Sequence, residues 1–107
     1  MNVKQIISKY NIPKSTVAQI ADVKPYDFSL YLRDRSLVTG VKADRIEQAI
    51  ADISMVLDRL ARVEIFSPNL RDIPALQKMI EFCKTHSEET EESEIIKMFS
   101  PLDRGKV

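Results

Sequence analysis

The chain has 107 residues, 44% of them hydrophobic and 30% charged, the balance of one globular domain with room for a tail. No apolar run approaches the roughly 18 residues of a membrane span, and the start MNVKQIISKY lacks a signal-peptide core; a cytoplasmic protein with no membrane partner is expected. The formal net charge is zero but unevenly spread: residues 1–62 hold ten Lys/Arg against seven Asp/Glu, and residues 63–107 hold six against nine, a basic front and an acidic rear.

The predicted elements are all helical. Asn2 is a good N-cap with Gln5 as capping-box partner, and Val3, Ile6, Ile7 and Tyr10 form one apolar stripe that Asn11 closes. Pro13, Ser15 and Thr16 announce a short second helix carrying Val17, Ala18, Ile20 and Ala21, which Asp22 ends. Pro25 suits the first position of a third helix, Asp27 complements its dipole, and Phe28, Tyr31 and Leu32 face inward. A loop through Leu37, Val38 and Gly40 follows.

The spacing predicts a long fourth helix from about Lys42 to Arg62. Ile46, Ile50, Ile53, Leu57 and Leu60 recur in steps of four and three, a seam that suits a partner helix. Ile46, Ala49 and Ile50 suit packing on the first three helices of the same chain. Leu57 and Leu60 lie beyond a compact four-helix core, so Ile53, Leu57 and Leu60 are expected at the seam of a homodimer. Ser67-Pro68-Asn69 breaks the chain before a fifth helix, from about Asp72 to Thr85, with Ile73, Leu76, Met79, Ile80 and Cys83 on its apolar face. Residues 87–94, SEETEESE, read as solvated, and Ile95, Ile96, Met98, Phe99 and Leu102 as a small apolar cluster. The expected organisation is a domain over residues 1–66 and a C-terminal helix with acidic tail over 67–107.

Catalysis has no motif to stand on. Two glycines are too few for a phosphate-cradling loop, and Cys83 and His86 lack the further ligands of a zinc site, so neither an enzyme nor a cofactor is expected. A lone cysteine excludes an internal disulfide and fits a reducing compartment.

The stretch Lys14 to Asp34, KSTVAQIADVKPYDFSLYLRD, resembles the helix-turn-helix of the phage-repressor-like (Xre-type) DNA-binding family. Val17-Ala18 match the opening of its first helix, Ala21-Asp22-Val23 its turn, and Phe28-Ser29 and Tyr31-Leu32 its second helix. The following DRSLVTGVKADRIEQAIADI looks like the family's loop and fourth helix, so the resemblance covers about residues 2–57. Two departures stand out. Asp22 replaces a usual glycine at a left-handed position, which aspartate tolerates better than most residues. Leu30 is apolar where the helix surface is usually polar, and suits either a thymine methyl or a protein partner.

The resemblance implies an all-α, four- to five-helix repressor-like fold and a transcriptional regulator, a homodimer on a palindromic operator of double-stranded DNA. The helix from Lys24 to Arg33 is then the recognition helix, and Lys24, Tyr26, Asp27, Ser29, Leu30 and Arg33 face the bases. Asp27 serves equally well as a dipole residue with no base contact, and the lesser alternative for Tyr26 is packing against the neighbouring helix. Lys14, Ser15 and Thr16 begin the helix that crosses the backbone, where free N–H groups and a cation favour phosphate. Lys42 and Arg45, with Arg35 in the loop, are candidates for further phosphate contacts. The competing expectation is a protein-interaction module of antitoxin or adaptor type. Its partner would be taken by residues 87–107, where an acidic stretch leads into Ile95-Ile96-Lys97-Met98-Phe99.

Overall fold

A computed structural model describes residues 2–61 and 69–85. The acidic stretch, the apolar cluster after it, His86 and the expected boundary near residue 66 lie outside the described residues. Among those described, every regular element is helical: α1 (Val3–Tyr10), α2 (Lys14–Ala21), α3 (Pro25–Arg33), a 3-10 turn (Arg35–Leu37), α4 (Gly40–Leu60) and α5 (Ile73–Thr85). The all-α expectation holds at that level. The chain divides into two compact units, Met1–Asp52 and Ile53–Val107, with the division inside α4.

Local chemistry sets the helix ends. Asn2 Oδ1 accepts from the Gln5 N–H at 3.1 Å and opens α1. α1 and α2 then end the same way. Asn11 and Asp22 take left-handed backbone (φ 53° and 57°), and the next N–H bonds back five residues, Ile12 to the Ile7 carbonyl and Val23 to the Ala18 carbonyl, each at 3.0 Å. The start of α4 differs from expectation. Thr39 Oγ1 accepts from the Lys42 N–H at 3.2 Å, so Gly40 is helical rather than part of the loop. Asp72 Oδ1 caps α5 through the Ala75 N–H at 3.3 Å.

The first unit has its core in Val17, Ala18, Phe28, Tyr31, Ala43, Ile46, Ala49 and Ile50, all buried. The rings of Phe28 and Tyr31 stack with centroids 6.4 Å apart. Tyr31 carries a polar tip into a network: its hydroxyl donates to Glu47 Oε2 at 2.7 Å, and Arg35 donates to the same oxygen at 2.9 Å and to Asp44 at 3.1 Å. This ties α3 and the 3-10 turn to α4. Arg35 and Tyr31 hold the Glu47 carboxyl below its usual range. Burial, with the bond to Glu47, pushes the Tyr31 hydroxyl up to about 12.

In the second unit Ile53, Val56, Leu57 and Leu60 of α4 and Leu76, Met79, Ile80 and Cys83 of α5 are buried. Ile53, Leu57 and Leu60 are 0%, 7% and 4% exposed within the single chain, which corrects the expectation that they stand outside its core as a seam for a second copy. Burial also raises the Cys83 thiol, partly offset by Arg59, which hydrogen-bonds it. A thiol held protonated is a poor nucleophile.

Leu57→Ala is expected to cost about 2–5 kcal/mol in urea unfolding, the range for a buried leucine; a loss below about 0.5 kcal/mol, as for surface positions, would place Leu57 outside the core. Tyr31→Phe is expected to cost about 1.5–3 kcal/mol in urea unfolding, the range for a hydrogen bond to a charged group. The network also bounds stability in pH. Because the Glu47 pKa is depressed in the fold, its contribution is present above the ordinary glutamate value, about 4.3, and is lost as the pH falls through the folded value. Because the Tyr31 pKa is raised, its contribution is complete below about pH 10 and lost as the pH rises toward about 12. Unfolding curves across pH should show the alkaline limb removed in Tyr31→Phe.

Candidate nucleic-acid interface

α2 and α3 pack against each other across three residues, Asp22, Val23 and Lys24. So short a connection requires a left-handed residue at its start and small side chains where the helices approach. Asp22 supplies the first, and the buried Ala18 and Ala21 the second. The left-handed aspartate expected from the sequence is therefore present.

Phe28 and Tyr31 turn inward on α3, which leaves Tyr26, Ser29, Leu30 and Arg33 along the other side at i, i+3, i+4 and i+7. Tyr26 is 70% exposed, Ser29 and Arg33 are exposed, and Leu30 is half-buried. Lys24 is the exposed N-cap of α3, and Lys14 and Ser15 are exposed in the first turn of α2. No side chain caps either helix start, so both positive helix ends lack a protein acceptor from a capping residue.

Several expected contacts are placed elsewhere. Thr16 is 1% exposed, which corrects its assignment to phosphate: two residues beyond Lys14 on a helix is about 200° around the axis, into the core. Asp27 accepts from Lys42 Nζ at 3.1 Å, so the acid and the cation occupy each other and stitch the first turn of α3 to that of α4. Arg35 is taken up by Asp44 and Glu47. Arg45 is exposed near the start of α4. Lys4, Lys14, Lys24, Arg33 and Arg45 make no ion pair among the described residues, whereas Arg35 and Lys42 do.

A groove of about 530 Å3 opens between α1, α2 and α3. It brings together three residues expected at the DNA face, Lys14, Ser29 and Arg33, with Lys4, Ile7 and Ser8 of α1 and Leu32 of α3. The α1 residues were not expected there. The available signal was the polar pair Lys4 and Ser8, four apart and hence on one face of α1. No carboxylate lines the groove.

Among the described residues no group of three His, Cys, Asp or Glu side chains is placed to hold a metal ion, and no helix is long and apolar enough to cross a membrane. Comparison with protein-family models, curated protein sequences and solved structures gives no match.

The turn itself is open to test. Asp22→Gly relieves a left-handed side-chain penalty of about 1–2 kcal/mol, less for aspartate, against about 0.4–1 kcal/mol for the freer unfolded chain. A net gain of a few tenths of a kcal/mol is expected in urea unfolding. Asp22→Val is expected to destabilise, and equal stability for the two variants would remove the left-handed requirement.

Proposed function

We propose that the chain is a sequence-specific DNA-binding transcriptional regulator that inserts α3 into the major groove of duplex DNA. The observation that carries this reading is the stripe of Tyr26, Ser29 and Arg33 beside two helix starts bearing Lys24 and Lys14, with those cations unpaired among the described residues. The resemblance of residues 14–34 to the phage-repressor-like helix-turn-helix supports the same reading.

Each part has a distinct task. Lys14 and Ser15, with the open N-terminus of α2, hold a phosphate and fix the register. Arg33 reads guanine through O6 and N7, Ser29 bonds a base or phosphate, and Leu30 meets a thymine methyl at the edge of the stripe. Asp27, already bonded to Lys42, braces α3 rather than reading cytosine. Regulation follows from occupancy: a bound protein excludes polymerase from the promoter.

A homodimer on a palindromic site belongs to the proposal. Nine residues of α3 extend only about 14 Å, enough for a few base pairs. Two copies with their recognition helices about 34 Å apart would read half-sites one helical turn apart. Such copies meet through a surface other than Ile53, Leu57 and Leu60, which are covered within each chain.

Selection of retained sequences from random duplex DNA at two salt concentrations tests this reading. An enriched inverted repeat with steeply salt-dependent affinity is the expected result. Retention without enrichment would refute sequence-specific regulation. Against the selected site, Arg33→Ala is expected to cost about 1–3 kcal/mol and relax one base position. Lys14→Ala is expected to weaken all sequences alike and reduce the salt slope by about 1. If neither variant changes affinity, the DNA face lies elsewhere.

A further inference from the structure

The groove between α1, α2 and α3 has a chemistry that a DNA backbone does not fully use. Its cations are Lys4, Lys14 and Arg33, and its hydroxyls are those of Ser8 and Ser29. Ile7 and Leu32, both half-buried, give it an apolar floor. A phosphodiester backbone engages the charges but brings little apolar surface to that floor. Ligand clefts with apolar walls and a few convergent polar groups span about 300–1,000 Å3, and this groove, at about 530 Å3, lies within that range.

We propose that the groove binds a small phosphate monoester with an apolar body. Lys4, Lys14 and Arg33 hold the phosphate, and the body lies on Ile7 and Leu32. A phosphate monoester suits the donors better than a carboxylate does. It carries roughly −1.5 to −2 charge and three acceptor oxygens at pH 7, against the single charge and two oxygens of a carboxylate. Arg33 engages two of those oxygens at once, and the hydroxyls of Ser8 and Ser29 add donors that need no charge. Lys14, Ser29 and Arg33 also belong to the DNA face, so ligand and DNA compete. That competition rests on the regulator reading; the site itself does not.

The test is an NMR titration of the full-length 15N-labelled protein with phenyl phosphate, inorganic phosphate and benzoate at constant ionic strength. Saturable shifts are expected at residues 4, 8, 14, 29 and 33, with phenyl phosphate bound about tenfold more tightly than either of the others because only it fills both halves of the groove. Lys4→Gln, at an exposed position outside the base-reading stripe, is expected to weaken phenyl phosphate several-fold while leaving the spectrum of the free protein otherwise unchanged. Shifts that do not saturate, or equal affinity for phenyl phosphate and inorganic phosphate, would overturn the proposal and leave a non-specific anion patch. Phenyl phosphate is then added to the protein on its selected duplex. Release of the DNA supports competition, and binding without release refutes it. Saturable binding by a protein that enriches no duplex would keep the groove and remove the regulator reading.

Discussion

The first unit depends on one backbone constraint, the left-handed turn at Asp22. The Val23 N–H reaches back to the Ala18 carbonyl, and this bond ends α2 while turning the chain within three residues. Ala18 and Ala21 then let α3 approach closely. Were the reversal longer or the contact bulkier, Ser29 and Arg33 would not share a groove with Lys14. The same device at Asn11 ends α1, with Ile12 bonded back to Ile7 and buried behind the turn. Two non-glycine residues in left-handed backbone thus set the directions of the three helices that line the groove.

Ion pairing then divides the charge of this unit. Its formal excess of cations is small, since residues 1–52 hold eight Lys/Arg and six Asp/Glu. Arg35 and Lys42 are neutralised by Asp44, Glu47 and Asp27, all on or facing α4. Lys4, Lys14 and Arg33 meet around the groove with no carboxylate among its lining. Three cations without a carboxylate among them are an arrangement that suits an anion. Exposed pairs such as Arg35–Asp44 add little stability by themselves. Their pairing leaves Arg35 and Lys42 less available to an outside anion than Lys4, Lys14 and Arg33.

The helices were legible because each carries its own signals: Asn2 as a cap, Pro25 at a first turn, and apolar residues at helical spacing from Ile46 to Leu60 and from Ile73 to Cys83. Periodicity states which face of a helix is apolar, but not what covers it. Leu57 and Leu60 look alike as a dimer seam and as a core, and only the folded chain distinguishes the two. Thr16 shows the same limit at smaller scale, since consecutive side chains of a helix point about 100° apart and the third of the three turns into the core. The Asp27–Lys42 pair joins residues fifteen apart in sequence, beyond any local rule. Lys4 lies ahead of the helix-turn-helix segment, and only the fold brings α1 beside α3.

Helix α3 carries two demands on opposite sides, and they are unequally free to change. Its outer stripe, Tyr26, Ser29 and Arg33, contributes little to the core, so its side chains can be exchanged without loss of the fold. Its inner side is fixed three ways: Phe28 and Tyr31 by burial and stacking, Tyr31 again through Glu47, and the first turn through Asp27 and Lys42. A substitution on that side alters the outer stripe indirectly, by rotating or sliding the helix that presents it. Contacts to base edges tolerate only small displacements, and a shift of about 1 Å is enough to spoil a positioned site. In the proposed regulator, what this helix would recognise is therefore limited as much by the packing of Phe28, Tyr31 and Asp27 as by the identity of the residues facing outward.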